Sequence, residues 1–326
     1  MIGRRQQQRG GGGGGGIGLR TRWRFYRKRA VLFRILLALL VLIAIVPPIV
    51  FHFRLKSLHR ALQKKCGWLG NPPLVCAHGG DTTKAFPNTM AAYQAALHSQ
   101  VDCMEIDVSR TADGVLVALH DRELQQISGD TTSRVGHYSI DEIKVFEEMH
   151  EFSLKFEDTK IPTMEDALMS ISRSLKWVII DAKIGPPLYE NGLARDILST
   201  IERTGCRNCL VWAKSDNLVR EIIRLSPNTT VGYIVMKDPT TGFRTNLFRV
   251  RGADVVGVYH PLVDERLVRN LQGRMKKVYA WTVDDLDSMQ LMLVQRVDAI
   301  VTNNPGNLQR LMQDIRSKCL VDGFLS

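Results

Sequence analysis

Met104-Glu105-Ile106-Asp107-Val108, continued by Ala112-Asp113-Gly114 and closed by His120-Asp121, decides how this 326-residue chain folds. Residues 108–110 and 114–119 are rich in β-formers, and Asp113-Gly114 between them is a strong hairpin signal. Side chains alternate faces along a strand, so Glu105 and Asp107 point the same way. A two-residue turn at Asp113-Gly114 pairs Ala112 with Val115, and that register sets His120 opposite Asp107. Two carboxylates and a histidine would then converge, which suits a hard divalent cation beside an acid/base group. The competing reading is a hairpin whose polar face is merely solvated.

Working outward, short apolar runs alternate with helical patterns from Leu74 onward, the sign of a parallel sheet with crossover helices. Expected strands are Leu74–His78, Cys103–Ser109, Trp177–Lys183, Leu210–Ala213, Thr230–Val235, Asp254–Tyr259, Val278–Val283 and Ala299–Thr302. Residues 115–119 return as a hairpin arm, and Asn88 or Thr89 offers a cap for a helix at Met90–His98. The polar segment 121–161 reads as a small insertion over the barrel mouth. The expected fold is therefore α/β, a (β/α)8 TIM barrel with a hairpin arm and an insertion after strand two. About 250 residues is typical of such a barrel. A Rossmann sheet is disfavoured because no Gly-x-Gly-x-x-Gly stands at a strand-to-helix turn. In a barrel the chemistry gathers at the C-terminal strand ends, where His78, Glu105, Asp107, Asp181, Lys183 and Trp281 all fall.

The N-terminal part differs in kind. Residues 1–65 hold 15 Lys+Arg and no acid, leaving 29 Lys+Arg against 33 Asp+Glu beyond them. The net charge of +11 thus belongs to the arm, and a nucleic-acid surface on the barrel is not supported. Gly10–Gly16 cannot bury apolar surface, so 1–29 is expected to be a disordered basic arm. Residues 30–53 are expected to form a transmembrane helix, which Pro47-Pro48 would kink or end early, with 54–73 as linker and 74–326 as the barrel domain. Ten Lys+Arg precede or just enter the apolar run and five follow it, which places the N-terminus in the cytosol and the catalytic part in a lumen or outside the cell. Asn228-Thr229-Thr230 is a sequon that such an orientation could use. The six cysteines look too scattered for a disulfide scaffold, and Cys206-x-x-Cys209 is either a local disulfide or two thiols.

The ordered set Cys76-Ala77-His78-Gly79-Gly80, Phe86-Pro87-Asn88-Thr89, Glu105-x-Asp107, the Asp-Gly hairpin, His120-Asp121, Asp181-x-Lys183, Trp281-Thr282 and Thr302-Asn303-Asn304-Pro305 resembles the glycerophosphodiester phosphodiesterase family. The likeness covers about residues 74–315 and is strongest to the family's membrane-anchored plant members. It implies that Glu105, Asp107 and Asp181 hold Mg²⁺ or Ca²⁺. By the same resemblance His78 and His120 are an acid/base pair, Lys183 reaches the phosphate, and Trp281 lines the substrate pocket. The implied reaction splits glycerophosphocholine, glycerophosphoethanolamine and similar diesters into an alcohol and sn-glycerol 3-phosphate. Three departures stand out: Gly79 where the family has arginine, Pro87 where it has glutamate, and Asn303 where it has aspartate. The missing guanidinium implies either weaker phosphate binding or a shift of its work to Lys84 or Lys183. Two other readings are a lysophospholipase D, for which Val145-Phe146, Phe152 and Phe156 would form an apolar lip, and a barrel that binds without turnover.

Overall fold

The computed structural model describes residues 17–150 and 160–324. The described residues up to Ala61 and those from Leu62 onward form two compact units. The first lies in helix α1 (Ile17–Cys66), which runs through Pro47 and Pro48. It is long and apolar enough to cross a membrane, and side chains from Val31 to Phe53 are exposed. Two sequence expectations change here. Residues 17–29 are helical rather than part of a disordered arm, and most of the expected linker is the end of α1, because no glycine interrupts 54–66. Gly67 opens a 3-10 turn that closes the helix.

The second unit is a barrel. In chain order it comprises β1 (Leu74–His78), α2 (Met90–His98), β2 (Cys103–Arg110), β3 (Leu116–Ala118), α3 (Asp121–Ser128), α4 (Ile140–His150) and α5 (Met164–Ile171). There follow β4 (Trp177–Ala182), α6 (Leu193–Thr204), β5 (Cys209–Ala213), α7 (Asp216–Leu225), β6 (Thr230–Val235) and β7 (Val255–Tyr259). The chain ends with α8 (Glu265–Gln272), β8 (Lys277–Trp281), α9 (Leu286–Gln295), β9 (Ala299–Thr302) and α10 (Pro305–Val321). Eight strands pair in parallel in the order β1-β9-β8-β7-β6-β5-β4-β2, β2 pairs again with β1, and the barrel closes. The short antiparallel β3 hangs from β2.

Two apolar layers follow from the two-residue period of the strands. Inside lie Cys76, Cys103, Ile179, Leu210, Trp212, Ile234, Val255, Tyr279, Ala299 and Val301. The alternate residues, such as Val178, Ile180, Val256 and Val278, pack outward under the helices. Helix caps are where the sequence offers them: Thr89, Ser215, Asp264 and Asp285 each accept a backbone N–H at the start of α2, α7, α8 and α9.

The hairpin register differs from the two-residue turn. Val108 pairs with Ala118 and Arg110 with Leu116, one residue off the expected register. Thr111 donates its N–H to Val115 O at 2.9 Å, so residues 112–114 form a three-residue loop with Gly114 at φ 89°. A shift of one residue turns every side chain over, and His120 therefore does not sit opposite Asp107. The strand stops at Ala118 and His120 caps α3.

The insertion also has a core of its own, which its polar composition conceals. Phe86, Val117, Leu119, Leu124, Ile127, Val135, Ile143 and Ile161 cluster there, and Phe146 stacks edge-on to Tyr138 at 5.1 Å. Val145 is exposed, while Phe152 and Phe156 lie outside the described residues. The cysteines are a further correction: all six pair, as Cys66–Cys319, Cys76–Cys103 and Cys206–Cys209. Distance in sequence hid two of these pairings, since parallel register brings Cys76 opposite Cys103.

Candidate active site

The interior set of each strand continues to the barrel's C-terminal end and there turns polar. In β1, Cys76 is followed on the same face by His78; in β2, Cys103 by Glu105 and Asp107; in β4, Ile179 by Asp181, with Lys183 next in phase. Register does the rest, placing His78 beside Glu105 and Asp107 beside Asp181. His78, Glu105 and Asp107 present donor atoms that all lie within 4.8 Å of one another. Nε2 of His78 is 3.7 Å from Oε2 of Glu105.

Asp107 is the hub, with its side chain wholly buried. Its Oδ1 is 2.6 Å from Nζ of Lys183, and its Oδ2 accepts from Nδ2 of Asn88 at 3.0 Å and from Nη2 of Arg122 at 3.2 Å. Asn88 also accepts the Asp107 backbone N–H at 3.1 Å. Burial alone would raise the Asp107 pKa, but the charges of Lys183 and Arg122 hold it below the ordinary carboxylate range. Lys183 bridges to Asp181 as well, and these carboxylates keep its ammonium protonated against the pull of burial. Asp181 thus sits with Lys183, outside the group formed by His78, Glu105 and Asp107.

Glu105 is different. Its side chain is buried and Oε2 has no hydrogen-bond partner among the described residues. Burial, followed by repulsion from Asp107 and Asp181, pushes its pKa well above the usual value. Oδ1 of Asp181 is likewise buried without a partner among the described residues. Unsatisfied buried carboxylate oxygens are costly, and oxygen donors gathered in this way fit a hard divalent cation.

The two histidines are held as opposite tautomers. Nδ1 of His78 is 2.9 Å from Oδ1 of Asn303, whose Nδ2 donates to Asp284, so the His78 proton sits on Nδ1 and Nε2 carries a lone pair. Nδ1 of His120 instead accepts the backbone N–H of Arg122 at 3.2 Å, leaving the proton on Nε2. Burial lowers both; for His120, burial and then the charge of Lys183 bring it down to about 3. Glu123 completes a capping box by accepting the His120 N–H at 3.0 Å. Trp281, the last residue of β8, is half-buried with its ring 5.7 Å from that of Tyr259.

The strand period brought His78, Glu105, Asp107, Asp181 and Lys183 together as expected from sequence. His120 reaches the same electrostatic neighbourhood from the cap of α3, and Trp281 stands on the barrel wall. Asn88, Arg122 and Glu123 were missed as site residues. Asn88 has φ 58° and turns its side chain to Asp107 while Thr89 takes the cap. The His120-x-x-Glu123 spacing of a capping box points to Glu123, while nothing in the sequence singles out Arg122.

Residues 78–307 match the glycerophosphoryl diester phosphodiesterase family. Glycerophosphodiester phosphodiesterase GDPD4 of Arabidopsis thaliana is 55% identical over 297 residues, covering 91% of this chain and 89% of that protein. The fold is shared with a putative glycerophosphoryl diester phosphodiesterase of Silicibacter pomeroyi, at TM-score 0.63 and 20% identity over 75% of this chain and 95% of that one. It is also shared with a phosphodiesterase of Oleispira antarctica solved with sn-glycerol-3-phosphate, at TM-score 0.63 and 21% identity over 76% and 99% of the two chains.

Proposed function

The chain belongs to the glycerophosphoryl diester phosphodiesterase family, and from that membership and its barrel mouth we propose that it hydrolyses glycerophosphocholine, glycerophosphoethanolamine and similar diesters with the help of a divalent cation. It is a phosphoric diester hydrolase, and the products are an alcohol and sn-glycerol 3-phosphate. The observation that carries the reading is the convergence of His78, Glu105 and Asp107 around the unsatisfied Oε2 of Glu105.

Glu105 and Asp107, with Asp181 beside them, would hold Mg²⁺ or Ca²⁺, which when bound supplies charge neutralisation for the phosphoryl oxygens. The chain's own groups take up the water's proton and stabilise charge on the leaving oxygen. Nε2 of His78 takes a proton from the attacking water as its oxygen bonds to phosphorus. Neutral His120 donates a hydrogen bond from Nε2 to the leaving alcohol oxygen as the second P–O bond breaks, and that oxygen takes its proton from solvent water. The tautomers described above support this division of labour. Lys183 adds fixed positive charge, and Trp281 with Tyr259 offers an apolar wall for the substrate.

The anchor reading extends from α1. Three disulfides suit an oxidising compartment and accord with the catalytic part being lumenal or extracellular. Asn228 is exposed and would carry a glycan in that orientation, seen as a mass shift on glycosidase treatment.

The function is tested by sn-glycerol 3-phosphate release from glycerophosphocholine by the full chain in detergent, with Mg²⁺, Ca²⁺ or EDTA, beside Glu105→Ala and His120→Ala. Release that needs a cation and is lost in both variants supports the whole assignment. A folded chain that releases nothing with either cation would overturn it.

A further inference from the structure

A phosphodiester brings a negative charge into a site that already holds three carboxylates, so binding needs a cation free to meet it. Gly79 provides none after His78. Lys84 is turned away, with Nζ 3.0 Å from Asp81 Oδ2 and 3.0 Å from Ser99 Oγ. Lys183 is spent between Asp107 and Asp181. Lys214 is near enough for its charge to act on His120, but it is exposed and no ion pair among the described residues fixes its position.

Arg122 remains. Its Nε is 2.6 Å from Oε1 of Glu123 and its Nη2 is 3.2 Å from Oδ2 of Asp107. Both carboxylates are buried, so they fix the plane of the guanidinium against the site while 47% of its side chain stays exposed. Nη1 has no partner among the described residues, which leaves its donors for a ligand. We propose that Arg122 binds the phosphoryl oxygens of the substrate through this free edge. Glu123 is then a positioning residue: it anchors Nε of Arg122 with one oxygen and the backbone of His120 with the other. One turn of α3 thereby sets the phosphate's donor and the hydrogen-bond donor to the leaving oxygen in fixed relation.

The inference rests on the hydrolase reading for its ligand, and its test separates the two. Calorimetric binding of sn-glycerol 3-phosphate at saturating Mg²⁺ is compared for the full chain, Arg122→Ala and Arg122→Lys, with KM for glycerophosphocholine measured beside it. Arg122→Ala is expected to weaken binding and raise KM by about tenfold to a hundredfold, as loss of hydrogen bonds to a charged group does. Arg122→Lys keeps the charge without the fork and falls between. Melting temperatures verify that both variants fold, and if the alanine protein does not, the lysine protein decides. Binding equal to wild type in Arg122→Lys, or a loss in Arg122→Ala that more Mg²⁺ restores, would reduce Arg122 to a support for Asp107 and overturn the inference. So would absence of binding to the wild-type chain. Arg122-dependent binding in a chain that hydrolyses nothing would sink the hydrolase reading and leave this one standing.

Discussion

His78 donates its Nδ1 proton to Oδ1 of Asn303 across 2.9 Å, and Asn303 passes the chain on to Asp284 at 2.7 Å. A neutral amide fixes the tautomer without adding charge, so burial wins over the attraction of Asp107 and the imidazole stays neutral at pH 7. As a base, His78 loses function when it protonates, so the acidic limb of kcat/KM falls below pH 6.5. Asn303→Asp puts a carboxylate against Nδ1 and favours the imidazolium. The limb should move up by about one pH unit, with Asp284 opposing part of the shift. An acidic limb that stays in place would mean that another group controls it.

Glu105 and the cation are linked through a proton. Because the folded protein holds Glu105 protonated well above the usual range, a cation arriving at Oε2 displaces that proton, and affinity rises with pH through the Glu105 pKa. Mg²⁺ or Ca²⁺ at a hundred times its Kd should stabilise the fold by about 2.7 kcal/mol. Glu105→Gln should abolish that gain and make the protein without cation no less stable, since it removes the buried acid. Thermal melts with and without cation at pH 6 and 8 measure this, and an equal shift in Glu105→Gln would place the cation elsewhere.

Most of the fold was legible because each barrel strand is a short apolar run with its own boundaries; β1, β6 and β9 match the expected spans to the residue. The cluster of His78, Glu105, Asp107, Asp181 and Lys183 was legible for the same reason, since the two-residue period carries the interior face into the site. What escaped came from turns and side-chain partners. Whether Asp113-Gly114 closes a two- or three-residue loop depends on Thr111, whose Oγ1 accepts the Val115 N–H at 2.9 Å. Arg122 reads as an ordinary helix-surface residue until the fold sets Asp107 beside it. The pairing of Cys66 with Cys319 spans 253 residues, beyond the reach of spacing arguments.

Gly257 in β7 exists for Trp212. A Cβ there would lie 2.9 Å from Cζ3 of Trp212 and 2.7 Å from Cδ1 of Ile234, inside the barrel. Trp212 is almost fully buried and cannot retreat. Gly257→Ala should destabilise by about 1–3 kcal/mol through overpacking. Trp212→Phe in the same chain should recover part of that loss by opening space. Urea melts of the two single variants and the double variant would show the coupling, and additive effects would refute it.

His120 links stability to the neutral state of its imidazole. Unfolded, it takes up a proton near pH 6.5; folded, only near about 3, because burial and Lys183 oppose the imidazolium and Nδ1 is occupied by the Arg122 N–H. Between those values the unfolded chain binds more protons. The contribution of neutral His120 is therefore complete above about pH 6.5 and is lost progressively as pH falls toward 3. Asparagine caps helices as well as any residue, but does not titrate in this range. His120→Asn should keep the melting temperature at pH 8 within a few degrees and lose less stability on acidification. Its turnover should fall by about a hundredfold or more, the usual worth of a preorganised hydrogen-bond donor to developing charge. Melting curves from pH 4 to 8 alongside turnover at pH 7.5 separate the two roles. An acid slope as steep as that of the wild type would assign the titration to another group, and undiminished turnover would remove His120 from the chemistry.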